Sequence, residues 1–161
     1  MAHITKEQVV AACYMGRRVF AGELEIKVAA EALHNSYGIN LASAHDFIND
    51  YRHLMNGNVF HRAMSAGAMR HFMSSILDTH GIDAISNAVK ALRAHIDYWE
   101  GHCKTNAIKM RKVADEFQQV CESQSTEDGY RWAFERGVEK SLSDSQAKRP
   151  FISKRPSGIK E

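Results

Sequence analysis

Proline is almost missing from this chain of 161 residues. Both prolines, Pro150 and Pro156, fall in the last twelve positions, inside Lys148-Arg149-Pro150 and Lys154-Arg155-Pro156. Residues 1–149 therefore hold nothing that removes a backbone donor or breaks a helix sterically. Cysteine is scarce as well. Cys13, Cys103 and Cys121 are odd in number and far apart, which excludes a Cys-x-x-Cys zinc ribbon and a disulfide framework, and suits a reduced, cytoplasmic protein. Apolar runs never exceed a few residues, far short of the ~20 that span a bilayer. The opening residues have no basic region followed by an apolar one, so no secretory signal is expected. Glycine-rich phosphate loops and Gly-x-Ser-x-Gly elbows are absent too, which removes the commonest nucleotide and acyl-transfer motifs.

What is present is helical period. Thr5 with Gln8 has the form of a capping box and opens a helix to about residue 20, which Gly22 breaks. The next helix is expected over 23–36, with Leu24, Val28, Ala32 and the row Ile26, Ala30, Leu33 facing inward, ended by Gly38. Ser43 is the expected cap of a third helix, whose stripe is Phe47, Ile48, Tyr51, Leu54 and Met55. Asn56-Gly57-Asn58 stops it. Ser65 caps a fourth helix, striped by Met69, Phe72, Met73, Ile76 and Leu77 and ended at His80-Gly81. Asp83 is expected to open a fifth, with Ile85, Val89, Leu92, Ile96 and Trp99 buried and Gly101 as its stop. Thr105 opens a sixth, through Met110, Val113, Phe117 and Val120, and a last helix is expected over 126–142. The fold class is all-α: a compact bundle of six or seven short helices spanning 1–144, followed by a flexible, disordered basic tail over 145–161.

Charge follows the same division. Residues 1–144 carry 16 Lys/Arg and 18 Asp/Glu, a net of −2, whereas 145–161 carry five basic residues and one acid. The tail cations Lys148, Arg149, Lys154, Arg155 and Lys160, with Phe151 among them, suit phosphate contact. Lys104, Lys109, Arg111 and Lys112 form a second basic group at the start of the sixth helix, and Arg62 and Arg70 extend it from mid-chain. The partner class is nucleic acid. The alternative is a protein–protein adaptor or homodimer using helix faces that carry residues such as Tyr130 and Trp132.

No metal or cofactor is expected. Nine histidines are present, but no two stand three or four residues apart, so no helix offers the paired grip of a zinc motif. Glu31-x-x-His34 and Asp50-x-x-His53 have the spacing of di-iron helices without the further carboxylates such a site needs. An enzymatic reading rests on His34, His45, Asp46 and Asp97, which echo helical metal phosphohydrolases. The expectation is a non-enzyme.

One stretch resembles a known family. Ser43-Ala44 opens a helix, Met55-x-Gly57-x-x-Phe60-x-Arg62-x-x-Ser65 follows, then Ile76 with Gly81, and Ala91-Leu92-x-x-His95-Ile96-x-Tyr98. Over residues 43–98 this resembles the small helical domain that precedes the nuclease domain in some HNH-type restriction endonucleases, including ones directed at modified DNA. The resemblance implies an accessory role in phage or restriction biology. It transfers no catalytic residue, because nothing after Tyr98 supplies a ββα-metal module. Arg62 and His95 also have a structural reading: Arg62 as a donor to the carbonyls of a helix end, His95 as a hydrogen-bonded residue on a helix shoulder.

Overall fold

A computed structural model describes residues 3–104 and 106–124. The chain divides into two units, Met1–Cys121 and Glu122–Glu161, and the architecture below is that of the first. The expected helix at 126–142 and the tail boundary at 144/145 lie outside the described residues, as do Lys148, Arg149, Lys154, Arg155, Lys160, Tyr130 and Trp132. Among the described residues there are six helices and no strand. None of these helices is long and apolar enough to cross a membrane.

Helix α1 is Lys6–Phe20, opened by the Thr5/Gln8 capping box: Thr5 Oγ1 accepts from the Gln8 N–H, and Gln8 Oε1 from the Thr5 N–H. Helix α2 is Ile26–Tyr37, ended by Gly38 in the left-handed conformation, which costs glycine least. Its inward face is Ala29, Ala30 and Leu33. Val28, expected inside, is half exposed. On the helical wheel Val28 stands about 100° from Ala29 and about 140° from Leu33, so the face that buries those residues turns Val28 outward.

Helix α3 is Leu41–Asn56 and starts before the expected Ser43. Asn40 is the cap, its Oδ1 accepting from the N–H groups of Ala42 and Ser43. Asparagine competes well for this position, and it leaves Ser43 inside the first turn. Helix α4 is Ala66–His80, with Ser65 Oγ accepting from the Ala68 N–H at 3.1 Å as expected. Helix α5, Ile82–Cys103, begins directly after Gly81 and needs no Asp83 cap. It also runs through Gly101 and stops at Lys104, whose φ of 53° makes it a non-glycine left-handed cap.

Helix α6 covers 108–124. Its start is organised by Glu100 of α5, which accepts from the Ala107 N–H at 2.8 Å and from the Arg111 guanidinium. An acid from the preceding helix thus satisfies an amide at the positive end of the helix dipole; Thr105, the expected cap, lies outside the described residues.

Helix α3 is the centre of the bundle and packs on α1, α2 and α5, while α4 packs on α5 and α1. Tyr51, Leu33, Ile48, Leu54, Met69, Phe72, Met73, Ile76, Ile85 and Leu92 are fully buried, each side chain contributing about 2 kcal/mol of transfer free energy. The methionines at 64, 69 and 73 are core filling, as their helical spacing suggests.

Candidate functional site

Two places bring chemically active side chains together. The first is a cleft of about 870 Å³ over one face of α3. Ser43, Asp46, Phe47 and Asp50 stand at i, i+3, i+4 and i+7, the spacing that puts residues on one helical face. The C-terminal end of α2 with the following link brings His34 and Ile39 to the cleft, and the connection from α3 to α4 brings Arg62, Met64 and Ser65.

Arg62 Nε donates to Asp46 Oδ2 at 3.0 Å. It therefore binds a carboxylate, not the helix-end carbonyls expected from its position before the Ser65 cap. The Arg62 side chain is 71% exposed, so the pair contributes little stability.

Asp50 is different. It is 4% exposed, and no group among the described residues donates a hydrogen bond to its carboxyl. Burial pushes its pKa up to about 8; the neighbouring Asp46 carboxylate adds to the effect and Arg62 opposes it. A buried carboxyl without a partner is costly to keep. Perturbed groups of this kind in a cleft are the usual physical mark of a site.

Of the residues that echoed a phosphohydrolase, the fold brings His34 and Asp46 into this cleft and leaves His45 and Asp97 outside its lining. Among the described residues, no three His, Cys, Asp or Glu side chains converge as a metal site would require.

The second place is the α5–α6 turn. Lys104, Lys109 and Lys112 are exposed there and make no ion pair among the described residues. Tyr98 and His102, one turn apart on α5, stack with centroids 5.2 Å apart, and His61 stacks on Tyr98 at 4.1 Å. The arginines expected to share this surface are held elsewhere. Arg111 is paired with Glu100, Arg70 with Glu116 at 3.2 Å, and Arg62 with Asp46. Each is charge-compensated, so the exposed lysines carry the free positive charge of the turn.

His95 lies at the floor of a cavity of about 430 Å³ beside the second place, lined also by Met64, Trp99, Ile108 and Lys109. It is 2% exposed rather than on a helix shoulder. Its Nδ1–H donates to the Phe60 carbonyl at 2.7 Å, and its ring lies on the Phe60 ring at 4.2 Å and 6°. The structural reading accounts for it: His95 ties α5 to the α3–α4 connection and satisfies a carbonyl that has no helix of its own.

Burial, opposed by the bond to Phe60, holds His95 below its ordinary value of 6.5. The stability it supplies is complete above 6.5 and declines as pH falls toward the folded-state value. His95→Ala is expected to cost about 3 kcal/mol, from the cavity and the orphaned carbonyl together. Urea unfolding at neutral pH measures the loss, and the variant should also lack this histidine's part of the acid-side decline.

Asp50 and Glu100 are the two residues that sequence reasoning undervalued. Asp50 sits about 40° from Leu54 on a helical wheel, at the edge of the buried stripe. That position was the available signal. Glu100 carried none, because its partners Ala107 and Arg111 are reached only after the chain turns back.

No family model, curated protein or solved structure matches this chain.

Proposed function

We propose that the protein is a non-enzymatic, cytoplasmic accessory or regulatory factor that contacts nucleic acid through phosphates. The observation that carries this reading is the α5–α6 turn, where Lys104, Lys109 and Lys112 are exposed, and uncompensated among the described residues, beside the stacked rings of His61, Tyr98 and His102. Unpaired ammonium groups exchange condensed counterions for phosphates, and the exposed His61 and His102 rings offer surface on which a base can stack. The basic tail adds Lys148, Arg149, Lys154, Arg155 and Lys160 to the same chemistry. Arg62, Arg70 and Arg111 join only by leaving their carboxylates, so the body's contribution rests on the lysines. The resemblance of residues 43–98 to a helical domain of restriction endonucleases supports a place in phage or restriction biology.

Fluorescence anisotropy across a salt series tests the reading. The triple variant Lys104→Ala, Lys109→Ala, Lys112→Ala is expected to weaken binding to oligonucleotides and to flatten the log–log salt slope by about 2.7 on duplex and about 2.1 on single strands. Deleting 145–161 is expected to flatten the duplex slope by about 4.5. Binding that is untouched by both changes would overturn the proposal.

A protein–protein adaptor or homodimer is the second reading, favoured by α1. Val10 and Tyr14 stand one turn apart there and remain half exposed, with Arg17 and Arg18 over the Tyr14 ring. A dimer in light scattering that persists at high salt and is lost in Tyr14→Ala would favour it.

A further inference from the structure

We propose that the cleft over α3 binds a small organic cation, a primary ammonium or guanidinium on a short apolar stem, with Asp50 receiving the charge. The inference is independent of the lysine surface and starts from an imbalance in the cleft. Its polar lining is rich in acceptors. Asp46 and Asp50 stand one turn apart on the same face of α3, and among the described residues only Asp46 has a cation, Arg62, at hydrogen-bond distance. His34 donates its Nδ1–H to the Ile39 carbonyl at 2.8 Å, so its Nε2 is left as a further acceptor.

Asp50 is the least satisfied of these groups. It is almost fully buried, lines the cleft, and receives no hydrogen bond from any described residue. A ligand that brings both N–H donors and a positive charge supplies what the fold withholds. Phe47, Ile39 and Met64 give the stem an apolar wall. An anion would meet the Asp46 carboxylate and an arginine that this carboxylate already compensates. A metal ion would find no third ligand of the right type among the described residues.

Binding has a proton balance. Near neutral pH the Asp50 carboxyl keeps its proton. As the ligand's ammonium or guanidinium closes on it, the carboxyl ionises and that proton passes to the solvent, while the ligand keeps its own. The other charged or titratable groups sharing the cleft are Asp46 on α3, Arg62 from the α3–α4 connection, His34 from α2 and His3 from the start of the chain. The release belongs to Asp50 only if Asp50→Asn removes it.

The test is isothermal titration of the full-length protein with agmatine, n-butylamine and spermidine, near neutral pH, in two buffers of different ionisation enthalpy. Saturable binding of one agmatine is expected, with close to one proton released, and with affinity lowered about tenfold or more in Asp50→Asn. Carbon NMR of the wild-type carboxyls provides an arm that needs no variant to fold: adding agmatine is expected to move the Asp50 titration to lower pH. No saturable heat from any of the three probes up to about 10 mM would overturn the proposal. So would equal binding by Asp50→Asn, or an Asp50 titration that agmatine leaves in place.

Discussion

Asp50→Asn is expected to stabilise the protein by about 3 kcal/mol near neutral pH, and to destabilise it by about 1 kcal/mol near pH 4. The sign follows from the direction of the shift. In the unfolded chain Asp50 ionises near its ordinary value of 3.8, whereas in the folded protein burial raises that to about 8. Between those values the unfolded state has lost a proton that the folded state keeps, so stability falls as pH rises. The slope approaches about 1.36 kcal/mol per pH unit in mid-window. The penalty is absent below 3.8 and fully developed above about 8. Asparagine keeps the size and removes the ionisation, at the cost of a buried amide whose hydrogen bonds are also unmet, which trims the gain by about 1–2 kcal/mol. Thermal unfolding at several pH values checks this. Wild type should lose stability on the alkaline side of pH 4, and the variant should not. Parallel curves for the two proteins would mean that Asp50 is ionised and satisfied in the fold. A stability gain bought by deleting a buried group is also what a functional, strained site predicts.

Gly16→Ala is the second large effect, and it runs against helix propensity. Alanine in the middle of α1 should gain about 1 kcal/mol over glycine. At position 16, however, an added Cβ would stand 2.7 Å from Tyr51 Cβ and 3.0 Å from Tyr51 Cγ. Those atoms are the base of a fully buried side chain, and they cannot swing aside as a flexible tip would. Tyr51 is further held by Phe72 and by His80, whose Nε2 lies 3.0 Å from the Tyr51 hydroxyl oxygen. Relief therefore requires α1 to move off α3, and the net cost is expected to be about 2–3 kcal/mol. Gly101→Ala is the matched control: nothing lies within 4 Å of its added Cβ, so only propensity acts, and it should stabilise slightly. Denaturant melts of both variants decide the matter. Equal and favourable effects would show that α1 and α3 are not in close contact at Gly16.

Most of the helices were legible because the signals that make them are local. A capping box such as Thr5/Gln8, the Ser65 cap, and glycines at 38 and 57 able to take φ near +70° act within a few residues of themselves. The stripe Met69, Phe72, Met73 and Ile76 could be read for the same reason, since burial on a helix repeats every three or four residues. Where local signals competed, reading failed by a few positions. Asn40 took the cap expected of Ser43, and α5 ran on through Gly101, because the Glu100 contacts with Ala107 and Arg111 outweigh one weak residue; Trp99, expected to be buried, is only half-buried.

The sequence by itself determined an all-helical bundle, its main turns, its core methionines and aromatics, and the separation of a basic end from a slightly acidic body. Only the tertiary structure decided which charges are free. Composition counts Arg62, Arg70 and Arg111 as equal to Lys104, Lys109 and Lys112, but folding sets each arginine against a carboxylate and leaves the lysines open. It also turned Asp50 from one acid among many into a buried carboxyl in a cleft. Both outcomes depend on groups distant in the chain meeting in space. The pairing energy, the desolvation cost and hence the chemistry of an ionisable side chain are set by that meeting, and not by its neighbours in sequence.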